Sequence, residues 1–255
     1  MILHMNPFSV AVTGKGGTGK TTVSSLLVRS LVESGQTPVL AVDADPNANL
    51  HEALGVRPGE TLGSMREEAF TRSIPPGMSR TQYIRLRFRQ VLNEQEGYDI
   101  LTMGRPEGSG CYCFANDLLQ TSVRLLEKDY RFLIIDNEAG MEHISRGTIG
   151  IPDLLLIVTT PGVRGIRTAA RIHELAQSLG LESVPTGLVF NRYKGEKTDM
   201  IPGLPQPLAW IPEDPSIEDA DVQGRPVAGI GHSSPAMVAA RALSKKIIDC
   251  AEKRQ

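Results

Sequence analysis

Cysteine, charge imbalance and long apolar runs are scarce in this sequence, and each scarcity excludes a class of protein. Three cysteines among 255 residues are too few for a disulfide framework, which favours a reducing, cytoplasmic location. No apolar run is long enough to cross a bilayer, and residues 1–8 lack the features of a signal peptide. The formal net charge of -2 provides no overall attraction to nucleic acid. We therefore expect neither a nucleic-acid nor a membrane partner.

The composition is that of an ordinary globular domain. Hydrophobic residues make up 40% of the chain and charged residues 22%, and 255 residues are enough for one α/β domain with a large core. We expect a single domain over residues 1–255, with a ragged extension at 1–8 and an irregular insertion at 55–97. Within the insertion, residues 84–89 fit either an alternating strand or a basic helix face, and a solvated segment is favoured.

Short aliphatic runs alternate with helical patterns along the chain. The runs predict strands at Ser9–Thr13, Pro38–Val42, Tyr98–Met103, Phe132–Ile135, Leu154–Thr159, Gly187–Asn191 and Leu208–Ile211. Apolar spacing predicts helices at Thr21–Ser34, Ser109–Glu127, Arg164–Leu179 and Pro235–Ala251. This alternation predicts an α/β fold, a mostly parallel sheet with helices on both faces. Ligands of such sheets bind at the carboxyl ends of the strands, where the motifs below fall.

A phosphate-binding loop is predicted between the first strand and the first helix. The segment GKGGTGKT, which begins at Gly14, matches the pattern G-x-x-x-x-G-K-[ST] in the strand–loop–helix context that this motif requires. Glycines let backbone N–H groups turn toward phosphate oxygens, and the start of a helix adds its positive dipole end. Lys20 would reach the β- and γ-phosphates, and Thr21 would ligate Mg²⁺. We expect Mg-ATP to be bound by Gly14, Gly16, Gly17, Thr18, Gly19, Lys20, Thr21 and Thr22.

A second lysine in the loop narrows the choice among the classes of P-loop ATPase. Lys15, in the run KGGTGKTT, resembles the early lysine of the deviant Walker A motif, which marks the MinD/ParA/nitrogenase-iron-protein ATPases. The resemblance implies a P-loop NTPase fold and a nucleotide-sandwich homodimer, in which Lys15 reaches the partner's nucleotide. A lysine supplied in this way places positive charge where negative charge develops during phosphoryl transfer. We therefore expect Lys15, Lys20 and an aspartate to carry catalysis.

Three aspartates end predicted strands near this loop. Asp43 and Asp45 follow the second strand, and their i, i+2 spacing in extended backbone points both the same way, although turn formation is the alternative. Asp136 follows the run FLII and matches the Walker B pattern, in which a carboxylate holds Mg²⁺. The class resemblance assigns Asp45 to the magnesium site and to orienting the attacking water. It also assigns Asp43 to switch I, and Gly140 to a switch II glycine that senses the γ-phosphate.

The same resemblance implies an adenine pocket at the ends of two later strands. Asn191 ends the run GLVFN, where an asparagine of this class reads the adenine edge. Pro212 lies in the segment Ile211–Asp214, whose backbone completes the pocket in the class. An asparagine that only forms a turn is the alternative.

Cys111 and Cys113 form a C-x-C pair after the run GSG. In an extended segment both sulfurs would point to one side and form a soft metal clamp. Two thiolates do not complete a tetrahedral shell, but a two-fold dimer would supply a second pair. Burial as small apolar residues is the alternative, and it is favoured for Cys250 in the last helix.

The C-x-C and the run DNEAGMEHISRGT (Asp136–Thr148) together resemble the CooC-type nickel-insertion ATPases of carbon monoxide dehydrogenase and its acetyl-CoA synthase relatives. The resemblance extends from the phosphate loop to the last helix and is weakest at 55–97. It implies that Cys111 and Cys113 of two subunits share one nickel or zinc ion. It further implies slow, partner-coupled ATP hydrolysis that assists nickel delivery to carbon monoxide dehydrogenase or acetyl-CoA synthase.

Two other functions remain open from the sequence. An iron–sulfur reductase resembling the nitrogenase iron protein would use four cysteines across a dimer. That family, however, takes them from two separated segments, and no cysteine closely follows Asp136 here. A partitioning ATPase of the ParA/MinD type would need a basic surface for DNA or a basic amphipathic tail for a membrane. Apolar spacing in Pro235–Ala251 instead predicts packing onto the domain.

Overall fold

The computed structural model describes residues 6–65, 75, 77–79, 82–83, 87, 90–105, 119–121, 123–124, 126–138, 150–195 and 201–254. Within these residues, eight strands form one sheet in the order β3-β4-β2-β5-β1-β6-β7-β8. The strands are β1 (Phe8–Gly14), β2 (Val39–Asp43), β3 (Asn93–Gln95), β4 (Tyr98–Thr102), β5 (Phe132–Asp136), β6 (Leu154–Thr159), β7 (Thr186–Tyr193) and β8 (Pro207–Pro212). Every neighbouring pair is parallel except β3 and β4. The predicted mostly parallel sheet is confirmed.

Helices cover both faces of this sheet. They include α1 (Lys20–Glu33), α2 (Leu50–Leu54), α3 (Val163–Ser178), α4 (Pro215–Val222) and α5 (Pro235–Arg254). Because side chains alternate along a strand, Val10 and Val12 of β1 share a core cluster with α1 and α5. Ala11, between them, belongs to the cluster that α3 covers on the opposite face. The two-sided arrangement predicted from the alternating runs is therefore confirmed.

The sequence patterns missed three short elements for identifiable reasons. Strand β3 has the polar sequence NEQ and pairs antiparallel with β4 across a turn at Gly97, so it carries no apolar alternation. Helix α2 has five residues, too few for a periodic pattern. Helix α4 does carry a start signal, because Asp214 accepts the N–H of Ser216 at 2.9 Å and Pro215 follows the cap.

The structure describes only part of the region 55–97. Residues 62–65 are helical, as are 82–83, 87 and 90–91, and residue 87 is the one described position of 84–89. The irregular insertion therefore stays a prediction. The described residues of the predicted helix at 109–127 are also helical from 119 to 126.

Cys250 was expected to be buried, and this expectation is wrong. It is exposed on α5, whose buried positions are Ala236, Met237, Ala240, Leu243, Ser244 and Ile247. Because Cys250 lies near the end of α5 and outside this apolar stripe, it does not reach the core.

Candidate functional site

The loop between β1 and α1 is shaped by two close backbone approaches. A side chain at Gly14 would place its Cβ 2.3 Å from the carbonyl oxygen of Val158 on β6. A side chain at Gly19, where φ is 87°, would place its Cβ 2.2 Å from Nδ2 of Asn191 on β7. Neither distance is possible for a real Cβ, so the loop requires glycine at both positions. The loop therefore keeps the side-chain-free cradle that phosphate groups need.

Internal hydrogen bonds close the loop, and Lys20 follows it as the first residue of α1. Thr18 donates its hydroxyl and its N–H to the carbonyl oxygen of Lys15, at 2.8 Å and 3.3 Å. Lys20 begins α1 and is 8% exposed, so its stem is largely buried. Lys15 is exposed on the loop, which leaves it accessible to a second molecule. The positive helix start and Lys20 together suit the anionic end of a nucleotide.

A hydroxyl and a carboxylate meet below the loop. Asp136, at the end of β5, is 1% exposed and accepts hydrogen bonds from Thr21 at 2.7 Å and Ser24 at 3.0 Å. Burial raises the pKa of Asp136 to about 6, although these two hydrogen bonds and the charge of Lys20 oppose the shift. A threonine hydroxyl beside a carboxylate is an oxygen donor set that Mg²⁺ prefers. The residues present therefore fit a magnesium nucleotide.

Asp43 forms the second buried carboxylate of the site. It lies opposite Asp136 in the register of β2 and β5 and is 0% exposed. Burial, followed by the negative charge of Asp136, raises the pKa of Asp43 to about 8. Its two oxygens accept the N–H groups of Asp45 at 3.1 Å and of Leu50 at 2.9 Å. The turn-forming alternative for this aspartate is therefore seen in the structure, beside its place in the site.

Two residues that the sequence patterns missed lie beside Asp45: Asn47, in the loop that follows β2, and Arg105, beyond the end of β4. Asp45 accepts hydrogen bonds from the backbone N–H and the side-chain Nδ2 of Asn47, at 2.8 Å and 2.9 Å. Arg105, beyond the end of β4, donates to Oδ1 of the same asparagine. The D-x-N spacing is a signal that could have indicated the turn, but the contact with Arg105 has no local signal.

Asn191 lies beneath the phosphate loop. It is 3% exposed, and its Nδ2 donates to the carbonyl oxygen of Thr18 at 2.9 Å. Pro212 ends β8 and pairs with Tyr193 on β7, so both predicted adenine-pocket residues lie on this side of the site. The adenine contacts of Asn191 and Pro212 stay predictions, as do the roles of Lys15, Lys20 and Asp45.

The remaining predicted site residues lie outside the described ranges. These are Gly140, Cys111 and Cys113. Among the residues that the structure does describe, no three histidine, cysteine or acidic side chains are grouped so that they could hold a metal ion. In that same part of the chain, no helix has both the length and the apolar character to cross a membrane.

Sequence comparison identifies relatives over nearly the whole chain. The family model for the CobQ/CobB/MinD/ParA nucleotide binding domain matches residues 9–227. An uncharacterized ATP-binding protein of Methanocaldococcus jannaschii is 37% identical over 249 residues, which cover 94% of this chain and 98% of that protein. The carbon monoxide dehydrogenase accessory protein CooC of Rhodospirillum rubrum is 37% identical over 239 residues, which cover 84% of this chain and 87% of that protein.

Solved structures show the same fold. The cell division ATPase MinD of Pyrococcus furiosus has a TM-score of 0.71 and 26% identity, covering 96% of this chain and 99% of that one. MinD of Pyrococcus horikoshii in complex with Mg-ADP has a TM-score of 0.72 and 25% identity, covering 98% and 99%. The glycine cradle and the oxygen donor set described above fit such a ligand. The chain therefore belongs to the CobQ/CobB/MinD/ParA nucleotide-binding family, and it is a P-loop ATPase that binds a magnesium nucleotide.

Proposed function

We propose that this ATPase is a metallochaperone that assists nickel insertion into carbon monoxide dehydrogenase or acetyl-CoA synthase. The observation that carries the proposal is the 37% identity, over 84% of the chain, to a protein named carbon monoxide dehydrogenase accessory protein. The pair Cys111 and Cys113 adds the ligand chemistry that such a role requires. In this proposal the metal is cargo, held between the two subunits of a homodimer before it is passed on.

In the nucleotide half of the cycle, Lys20 and the loop N–H groups would bind the phosphates, and Thr21 and Asp136 would hold magnesium. When bound, magnesium supplies positive charge against the phosphate oxygens. Asp45 orients the attacking water, and Lys15 of one protomer adds its charge to the nucleotide site of its partner.

The response to the nucleotide is assigned to two further residues. Asp43 and Gly140 act as the switch residues that respond to the γ-phosphate, which we take from the class resemblance. The two oxygens of Asp43 support this role, because they accept the N–H groups of Asp45 and Leu50, which lie near the start and at the end of the loop that carries Asp45. A change in structure next to the γ-phosphate would therefore shift the loop that carries Asp45.

The metal half of the cycle depends on the C-x-C pair. Two thiolates from each protomer would give four sulfur ligands around one ion, which suits nickel or zinc. Because these ligands come from both protomers, metal binding and nucleotide-dependent dimer formation would favour each other.

A positioning ATPase of the MinD type is the second candidate, favoured by the TM-scores of 0.71 and 0.72 with MinD. Such a protein would need a free amphipathic tail or a basic surface to reach a membrane or DNA. The last described helix, α5, is not a free amphipathic tail, because its apolar positions Ala240, Leu243 and Ile247 are buried in the core cluster shared with α1. Sedimentation with liposomes in the presence of ATP would support this candidate over the first.

The decisive experiment is an anaerobic nickel titration of the metal-free protein. We expect one tightly bound nickel per two chains, a thiolate-to-metal absorption in the ultraviolet and a dimer mass by light scattering. Cys111→Ser should lose the metal and the absorption, whereas the matched control Cys250→Ser, which removes an exposed cysteine outside the pair, should keep both. Unchanged nickel affinity in Cys111→Ser would contradict the shared-thiolate site. A brown protein with visible absorption after anaerobic purification would instead support an iron–sulfur cluster.

A further inference from the structure

Hydrogen bonds between its own polar groups fix the conformation of the loop that carries Asp45. Asp45 accepts both the backbone N–H and Nδ2 of Asn47, and its carbonyl oxygen accepts the N–H of Ala48 at 2.9 Å. Ala48 has a φ of 55°, a left-handed conformation that L residues adopt only where their surroundings require it. The amide of Asn47 is therefore oriented, with Nδ2 toward Asp45 and Oδ1 on the other side.

Arg105 occupies that other side, and its backbone is well placed to do so. Met103 donates its N–H at 2.9 Å to the carbonyl oxygen of the last residue of β2. Gly104 follows with a φ of 66°, and a Cβ at this position would lie 2.5 Å from the side chain of Thr61. The chain thus turns tightly after β4, and Arg105 emerges beside the loop, where its Nη2 donates to Oδ1 of Asn47.

The exposure of Asp45 gives this contact a purpose. Asp45 is only partly buried and follows the fully buried Asp43 by two residues, so its carboxylate can turn toward solvent. An arginine that holds Asn47 opposes this movement, since it adds a positive charge and a charge-assisted hydrogen bond on the outer side of the loop.

We propose that Arg105 is a positioning residue for ATP hydrolysis, which acts through Asn47 to keep the Asp45 carboxylate where it orients the attacking water. This positioning role rests on the function proposed above for Asp45 in orienting the attacking water.

The proposal is tested by steady-state hydrolysis of Mg-ATP by the full-length protein. Arg105→Ala should lower kcat by about tenfold or more and change KM by less than about twofold, because the nucleotide cradle is untouched. Arg105→Lys should recover part of the rate, since a lysine retains one charged donor. Arg225→Ala, which removes an exposed arginine three residues after the end of α4, is the matched control and should leave kcat unchanged.

A double-mutant cycle separates positioning from a general loss of stability. If Arg105 acts through Asn47, the variant with both Asn47→Ala and Arg105→Ala should be no slower than Asn47→Ala alone. Thermal unfolding of each variant shows whether the fold is retained. A kcat of Arg105→Ala equal to that of the wild type, or effects of the two substitutions that multiply, would overturn the positioning role.

The role of Asp45 is tested on its own by Asp45→Asn in the same assay. Loss of hydrolysis in Asp45→Asn together with a wild-type kcat in Arg105→Ala would refute the positioning role alone. A wild-type kcat in Asp45→Asn would refute the proposed role of Asp45 and the positioning role together.

Discussion

Asn191 allows a sharp test of how the phosphate loop is held. Its Nδ2 donates at 2.9 Å to the carbonyl oxygen of Thr18, and both residues are at least nine-tenths buried. Replacement by alanine leaves this buried carbonyl oxygen without its donor, which costs about 1–3 kcal/mol. If this cost destabilises the loop conformation that binds nucleotide, the affinity for nucleotide should fall by about fivefold to 150-fold. The loop contacts phosphates and not the base, so ATP and GTP should lose affinity alike.

The assay compares the dissociation constants of Mg-ATP and Mg-GTP for the wild type and two variants. Asn191→Asp should bind both nucleotides more weakly than Asn191→Ala, because it places an acceptor against the Thr18 carbonyl oxygen. The matched control is Asn93→Ala, which removes a partly buried side-chain amide that donates at 2.9 Å to the carbonyl oxygen of Arg57, at the sheet edge. This control should bind both nucleotides normally.

The two nucleotides also separate the two roles of Asn191. An additional loss that is confined to ATP would measure the predicted contact with the adenine edge. If the whole effect of Asn191→Ala were confined to ATP, with GTP affinity unchanged, then support of the phosphate loop would be refuted. Equal affinity of all four proteins for both nucleotides would refute both roles.

Three further predictions follow from the same site. Gly19→Ala should abolish ATP binding, because the new Cβ would lie 2.2 Å from Nδ2 of Asn191 and the φ of 87° is unfavourable for alanine. Titration calorimetry measures this binding, and normal affinity would contradict the close approach. The pKa of Asp43 in the folded protein is about 8 against its ordinary value of 3.8, so the folded protein binds this proton more tightly than the unfolded chain. Its stabilising contribution is present at low pH and is lost between about pH 4 and 8, at up to about 1.4 kcal/mol per pH unit. Urea unfolding without magnesium should therefore show this decline, and Asp43→Asn should flatten it; an unchanged slope would contradict the assignment. Ser24→Ala removes one donor from Asp136 and should raise the pKa of Asp136 further above about 6, so the affinity for Mg-ATP should fall by about fivefold, most clearly below pH 7. An affinity with the same pH dependence as the wild type would argue against this contact.

The parts of the molecule that the sequence predicted best are those whose signal is local. Both ends of the strand Leu154–Thr159 were predicted correctly, since a buried run of five apolar residues and a threonine needs no partner to be recognised. The loop from Gly14 to Thr21 was equally clear, because its glycines, its lysine and the start of α1 are consecutive. The polar strand Asn93–Gln95 was missed, because its pairing with β4 depends on the neighbour and not on its own side chains.

The sequence alone determined the fold class, the phosphate loop and the family resemblance, because each depends on residues that are close in the chain or on a regular period. The tertiary structure decided which distant residues support that loop. Ser24 meets Asp136 only because β5 is the neighbour of β1 in the sheet, and Asn191 reaches Thr18 only because β7 ends beside the loop. No local pattern encodes the order of strands in a sheet. The contacts that this order creates can therefore be known only once the chain is folded.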